Sequence, residues 1–509
     1  MANLKSLAKD TAIYGLSSIV ARFVNYLLVP IQTLKFASTG GEYGIITNVY
    51  AYVAILIMVL TFGMETTFFR FMNKEGMDRK KVYSTVLRMV GTVGLVTTVI
   101  VLLFCRQIAE LLGYGDHPEY VVVMYITVAL DAFTAIAFAY LRCEHKPIKF
   151  ASLKIANIGL NIVLNLIYFF GLPMLHLNPF GIYGETFHYD VVWVFYINLF
   201  CSMFNLVFLH KELRGINFGF DKKMCRQMLS YAWPILVMGI AGQLNQSLSQ
   251  IMFPKVYPGG NAMSELGIYG ACIKIAMIMM MITQAFRFAY EPFVFSKVKD
   301  KDSKEVYAQT MKYYIIFTLL AFLVVMAYLD LLKYLIGESY WSGLRVVPIV
   351  MAAEIVFGVF FNLSFWYKLT DRTIWGAYFS GIGAVVLFII NLLFIPRFSY
   401  MACAWAGLIA YSVSMLLSYF IGQKYFPIRY PLRDIAIYTV VAAVLFAGMM
   451  LPVENTWLRL AFRTVLLLLF VGFIFRKEHL ARCLPSYPSS AAYLSKRIMK
   501  TKKMRALTI

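Results

Sequence analysis

The chain has 509 residues, 61% of them hydrophobic and 14% charged, with a formal net charge of +21. A soluble domain is nearer about 45–50% apolar and 25% charged, so the composition excludes a soluble enzyme and describes a polytopic membrane protein. The positive charge does not mark a nucleic-acid binder, because it sits in short loops between apolar runs, as the positive-inside rule requires.

Residues 1–10 are polar, and the apolar run after them is too long and lacks a small-residue cleavage site, so no cleavable signal peptide is expected. Fourteen helical spans follow: about 11–36, 43–69, 82–104, 119–141, 150–171, 190–209, 227–254, 265–290, 306–328, 343–367, 373–395, 401–422, 434–451 and 457–475. Helix is the expected form, because hydrocarbon offers no water to satisfy the backbone. The seven cysteines are scattered, mostly within spans, and form neither a metal spacing nor a disulfide framework.

The first span carries Arg22 near its middle. A charge at that depth costs a few kcal/mol or more and should face protein or water. The second span ends in Glu65 and Arg70, and the eighth ends in Arg287 and Glu291; these four are candidates for a gate of ion pairs, or for ordinary interface anchors, which suits Arg70 better. Asp131 in span four and Glu354 in span ten are acids near mid-depth. They are candidates for coupling to H+ or Na+, or for clamping helices together.

Span seven holds Pro234, Gly239 and Gly242, which permit bending, and then Gln243, Asn245, Gln246 and Ser247. Those four cannot all face lipid cheaply, so some should line a cavity or join helices as polar glue. Lys274 lies about 9 residues into span eight and enters from the opposite face to Arg22. The two cations meet the need of a phosphate group, one as a bidentate fork and one as a point charge; the alternative is a structural pair with Asp131 or Glu354. Arg88, Lys154 and Lys312 lie near span ends and are expected to anchor in headgroups. No phosphate-binding loop, metalloprotease helix, nucleophile elbow or dinucleotide fingerprint occurs. No catalytic residue, metal site or cofactor is therefore expected.

With the N-terminus placed in the cytoplasm, inside segments hold 33 of the 47 lysines and arginines and outside loops hold 5. That asymmetry puts both termini inside and favours an even span count. The chain also repeats at a shift of about 223 residues. Glu42-Tyr43-Gly44-Ile45 returns as Glu265-Leu266-Gly267-Ile268, and Val82-Tyr83 with Arg88 returns as Val306-Tyr307 with Lys312. Leu111-Leu112-Gly113 becomes Leu335-Ile336-Gly337, Asp131 maps to Glu354, and Asn165-Leu166 to Asn391-Leu392. A shift of six helices preserves orientation, so these are parallel repeats, with a substrate site expected at their interface.

Particular motifs carry a resemblance. They are Gly15-Leu16-Ser17-Ser18 with Arg22, Tyr43-Gly44, Gly63-Met64-Glu65 with Phe69-Arg70-Phe71, Tyr231 to Pro234, and Phe286 with Pro292. In these the chain resembles the polysaccharide transporter family of O-antigen and capsule flippases. Its superfamily includes multidrug-and-toxin extruders and lipid II flippases.

The resemblance implies an all-α protein of about fourteen transmembrane helices. Two pseudo-symmetric six-helix lobes (1–215 and 216–425) would surround a central cavity lined by spans 1, 2, 7 and 8. Two additional helices (426–476) and a basic cytoplasmic tail (477–509) would follow. It implies alternating access in a bacterial inner membrane, with a polyprenyl-diphosphate oligosaccharide as cargo. A polysaccharide polymerase and glycosyltransferases would be partners. Arg22 and Lys274 would hold the diphosphate, and Gln243, Asn245, Gln246 and Ser247 the sugar. The chain departs from the family pattern at the end of span seven. Many members carry an acid there, and this chain has Ser249-Gln250. An ion-coupled extruder of organic cations is the alternative. A membrane glycan ligase or polymerase is disfavoured, because the longest outside loop, about 172–189, is short.

Overall fold

The computed structural model describes residue 24 and residues 26–177, 187–297, 303–370 and 372–483. Arg22 and the side chain of Glu291 lie outside what is described. A short helix α1 (Leu28–Lys35) is followed by α2 (Glu42–Thr61) and α3 (Met64–Met72), which together make one span. Then come α4 (Arg79–Leu103), α5 (Cys105–Leu112), α6 (Pro118–Cys143), α7 (Pro147–Leu166), α8 (Val191–Phe208) and α9 (Lys222–Val256). The order continues with α10 (Ala262–Lys297), α11 (Ser303–Ala327), α12 (Val347–Leu363), α13 (Ile374–Phe398), α14 (Tyr400–Tyr425), α15 (Leu432–Met449) and α16 (Thr456–Cys483). No strand occurs among the described residues.

Twelve helical stretches among the described residues are long and apolar enough to cross a membrane. They correspond to spans two to six and eight to fourteen of the sequence reading. The first expected span lies mainly outside the described residues. The seventh, α9, is a single helix of 35 residues but is too polar to qualify on composition. At 1.5 Å per residue it is about 52 Å long, well beyond the roughly 30 Å of hydrocarbon. The helix starts are set locally. Asp78, Asp190 and Asp221 accept hydrogen bonds from the first free N–H groups of α4, α8 and α9.

The second span is not continuous. Phe62 and Gly63 both adopt left-handed φ values, 34° and 72°, and separate α2 from α3. Gly63 tolerates this conformation because it lacks a Cβ. A Cβ there would also stand 3.0 Å from the Ile235 side chain and 3.1 Å from the Ala232 carbonyl. The break therefore packs on α9 beside Pro234, which removes a hydrogen bond from that helix.

The chain forms two compact units. The first comprises residues up to Met311 together with Leu331–Arg429. In it the repeat becomes physical. Gly44 of α2 and Gly267 of α10, matched in the sequence, pack against each other. A Cβ on Gly267 would stand 3.0 Å from the Gly44 nitrogen, and a Cβ on Gly44 would overlap the carbonyl of Met263. Small residues let helices approach closely where lipid supplies no hydrophobic drive. Polar contacts surround the crossing. Ser264 donates to the Ser38 carbonyl at 2.5 Å, Tyr340 to the Phe36 carbonyl at 2.7 Å, and the Gly337 N–H to Thr33 Oγ1 at 2.9 Å.

The second unit joins Lys312–Asp330 to the described residues from Tyr430 onward. Here α11 and α16 run antiparallel in a register fixed at both ends. Lys312 Nζ is 2.9 Å from Glu478 Oε1, and Tyr438 donates to the same oxygen at 2.7 Å. At the other end Asp330 Oδ2 receives Arg459 Nε at 2.7 Å and Arg463 Nη1 at 3.0 Å. Lys312 is on α11 and Asp330 lies just beyond its C-terminal end, 18 residues on, about 27 Å if helical throughout and close to one hydrocarbon thickness. Lys312 is thus a buried ion-pair partner rather than a headgroup anchor. Arg88 is likewise engaged internally, donating to the Ile216 carbonyl at 2.8 Å. Lys154 lies over the Phe138 ring at 4.1 Å.

Two expectations follow. Gly44→Ala should lower the thermal midpoint in detergent, by about 1–3 kcal/mol of overpacking, while Gly159→Ala, with open space around it, should not. Lys312→Ala should cost about 3–5 kcal/mol by stranding Glu478, whereas Lys312→Met with Glu478→Leu should recover most of it in the same unfolding assay.

Candidate functional site

Beyond the Gly44–Gly267 crossing, the first unit encloses a cavity of about 410 Å³. Its walls follow helical spacing. On α2 the lining residues are Tyr43, Ile46, Thr47, Tyr50, Ala51 and Ala54, one face at three- and four-residue steps. On α10 they are Tyr269, Ile273, Ala276, Met277 and Met280, with Lys274 beside them. The polar run of α9 from Gln243 to Gln250 forms another wall, and Glu354 of α12 and Tyr411 of α14 face the same space.

Lys274, Gln243, Asn245, Gln246, Ser247 and Glu354 therefore share one cavity. Lys274 Nζ lies 5.9 Å from the ring centre of Tyr26. Neither Lys274 nor Glu354 has an ion-pair partner among the described residues. The wall thus offers one amine and one carboxyl group that are not paired with each other. Asp131, the repeat counterpart of Glu354, does not line the cavity. It accepts from Ser202 Oγ at 2.7 Å between α6 and α8.

Side chains on α9 are partly committed to structure. Gln243 Nε2 donates to Ser247 Oγ at 2.9 Å, and Asn245 Nδ2 donates to the Ser380 carbonyl at 2.8 Å. Gln246 has no hydrogen-bond partner among the described residues and is exposed to the cavity. On the opposite wall an amide chain runs across three helices. Asn165 donates to the Asn161 carbonyl, Asn161 to Asn198 Oδ1 at 3.1 Å, and Asn198 to the Tyr50 hydroxyl at 2.6 Å. The amide oxygens of Asn165, Asn245 and Asn391 are buried without partners among the described residues. Such acceptors call for a water or ligand hydroxyl.

The asparagine wall was not anticipated as part of a site. Its signal was present, since Asn157, Asn161 and Asn165 recur every four residues in an apolar span. In the sequence Asn165 stands out only as a repeat marker, paired with Asn391.

The four expected gate residues are not seen as one cluster. Glu65 pairs with Arg142 of α6. Arg70 lies over the Tyr231 ring of α9 at 4.0 Å, and Arg287 over Phe361 at 4.0 Å. The side chain of Glu291 lies outside the described residues. Glu65 and Arg70 thus tie α3 to two different neighbours instead of to α10. Arg22 also lies outside the described residues, so the cation wall is described only at Lys274.

No group of metal-ligand side chains occurs among the described residues. No curated protein matches the chain. Solved structures show the same fold at low identity. The lipid II flippase MurJ in an inward closed conformation aligns with a TM-score of 0.65 and 12% identity, covering 91% of this chain and 99% of that one. An inward-facing multidrug resistance MATE family transporter of the MOP superfamily aligns at 0.60 and 13%, covering 81% and 94%. A MATE in the straight conformation aligns at 0.58 and 14%, covering 82% and 95%. The family model described as polysaccharide biosynthesis protein matches residues 7–286, more than half of the chain. This all-helical chain, with its polar intramembrane cavity, belongs to the polysaccharide biosynthesis protein family.

Proposed function

We propose that the protein is a flippase that carries a polyprenyl-diphosphate-linked oligosaccharide from the cytoplasmic to the outer leaflet by alternating access. One observation carries the reading. A single cavity combines an unpaired Lys274 with amide and phenol groups from α2, α7, α8 and α9. A diphosphate needs a cation, and sugar hydroxyls need amides, hydroxyls and ring faces. The family membership supports a role in making polysaccharide. The MurJ fold likeness supports a lipid flippase architecture.

In this reading Lys274 and Arg22 hold the diphosphate, and Gln243, Asn245, Gln246 and Ser247 contact sugar. Asn161, Asn165 and Asn198 join them from the other lobe. The lobes are residues 1–215 and 216–425, and the membrane is a bacterial inner membrane with both termini cytoplasmic. Glu65, Arg70, Arg287 and Glu291 act during opening, in alternative pairings to those described. Glu354 is the proposed coupling group for H+ or Na+, with Asp131 clamping α6 to α8. Transport needs no covalent step by these residues. The product, a lipid-linked glycan for O-antigen or capsule, passes to a polymerase or glycosyltransferase.

One observation favours a second reading. Glu354 lines the cavity without an ion-pair partner among the described residues, as a binder of organic cations would require.

Native mass spectrometry of co-purified lipids separates the two. Wild type should retain polyprenyl diphosphate glycans, and the Arg22→Ala, Lys274→Ala double variant should lose them by about tenfold or more, given roughly 1.5–3 kcal/mol per charged hydrogen bond. Retention in the variant would move the site elsewhere. Absence from wild type, with an organic cation bound and lost on Glu354→Gln, would replace flipping by extrusion. Under the flippase reading, Glu354→Gln should leave lipid retention unchanged and slow only ion-driven transport.

A further inference from the structure

Helix α9 has a second polar feature, outside the cavity. Its first three turns bury Met224, Met228 and Ala232, one stripe at four-residue steps that packs into the core with α3 and α4. The opposite stripe is exposed and changes character along the axis. Lys222, Lys223, Arg226, Gln227 and Ser230 line an open concavity of about 730 Å³. Leu229, Trp233 and Val237 continue the same face and are 45%, 66% and 46% exposed.

The three cations have no ion-pair partner among the described residues. The nearby Asp221 carboxylate is turned into the helix end, accepting from the N–H groups of Lys223 and Met224 at 2.9 and 3.1 Å. On the adjoining side, Arg70 lies over Tyr231, one residue on from Ser230. From Lys222 to Trp233 is about 16 Å along the helix, the span from a headgroup to the first part of a chain.

We infer that this face of α9 is a loading track for the isoprenoid diphosphate end of the cargo. The diphosphate docks on Lys222, Lys223 and Arg226, and the chain lies along Leu229, Trp233 and Val237. The inference rests on the flippase reading and adds a binding site distinct from the cavity. Charge complementarity selects the occupant. Three cations without ion-pair partners among the described residues lie together on one open face, where a diphosphate brings more charge than the single phosphate of a phospholipid. An extended branched chain fits a ridge of aromatic and branched side chains on one helix face. The polar run of α9 from Gln243 begins about 10 residues beyond Trp233, so one helix links the track to the cavity wall.

Trp233 supplies the probe. Farnesyl diphosphate is titrated into the full chain in phosphatidylcholine nanodiscs, following tryptophan fluorescence and counting bound ligand by native mass spectrometry. Wild type should give a saturable change that is absent in Trp233→Phe and absent with farnesol. Replacing Lys222, Lys223 and Arg226 by Ala should raise half-saturation at least about tenfold, and replacing both lysines by Arg should restore it. Lys274→Ala should leave the Trp233 signal in place, because added farnesyl diphosphate fills the track reversibly, whereas the glycan lipid that survives purification is the one held in the cavity.

The track is overturned if the triple variant binds like wild type while Lys274→Ala does not; the cargo reading then survives with the cavity as its site. It is also overturned if phosphatidylglycerol nanodiscs abolish the signal at equal diphosphate, which would make the cluster an ordinary headgroup anchor. Failure of wild type to retain farnesyl diphosphate by mass would overturn the cargo reading itself.

Discussion

The first unit depends on the close contact of two glycines, Gly44 and Gly267, at the crossing of α2 and α10. In lipid, helices associate through close packing and hydrogen bonds rather than through water exclusion. The crossing supplies both, with backbone against backbone, Ser264 and Tyr340 donating to carbonyls around it, and Thr33 accepting from the Gly337 N–H. It holds the two helices together at one end. Along the same two helices, starting at Tyr43 and Tyr269, the facing residues line the cavity instead. A cavity between two helices needs such a point of close approach, because helices packed along their whole length would leave no space.

The cavity's chemistry follows from what a membrane protein can tolerate. Polar side chains at depth are retained where they face water, ligand or each other. Helix α9 concentrates them until it is less apolar than the twelve stretches suited to crossing a membrane among the described residues. Lys274 and Glu354 line the same space with no ion pair between them, which leaves both side chains available to a ligand. By contrast, Lys312 with Glu478 and Asp330 with Arg459 and Arg463 are fully engaged, and they fix the register of α11 on α16. The same residue types thus do structural work in the second unit.

The helices were legible because a bilayer permits little else, and the repeat was legible because equivalent glycines and acids kept their spacing. Gly44 and Gly267 were matched from sequence before their contact could be known. The polar wall of α9 was legible from Gln243 to Ser247, and Lys274 from its depth. The break at Phe62–Gly63 was not, because Gly63-Met64 reads as continuing helix and its cause is the surface of α9 around Ala232 and Ile235. Nor was the pairing of Glu65 with Arg142, which depends on which helices become neighbours. Asp131 and Glu354 show the limit of symmetry, since equivalent acids meet different surroundings. One is bonded to Ser202 and the other faces the cavity.

The central claim is movement of an anionic lipid-linked glycan across the bilayer. The most direct measurement is translocation in proteoliposomes. A polyprenyl diphosphate disaccharide carrying a fluorophore on its sugar is loaded in both leaflets, and a membrane-impermeant quencher is added outside. Wild type should let the quencher reach well over half of the label, while Lys274→Ala leaves it near the half that starts outside. If wild type behaves like empty vesicles while the same preparation moves an organic cation, the flippase account is wrong.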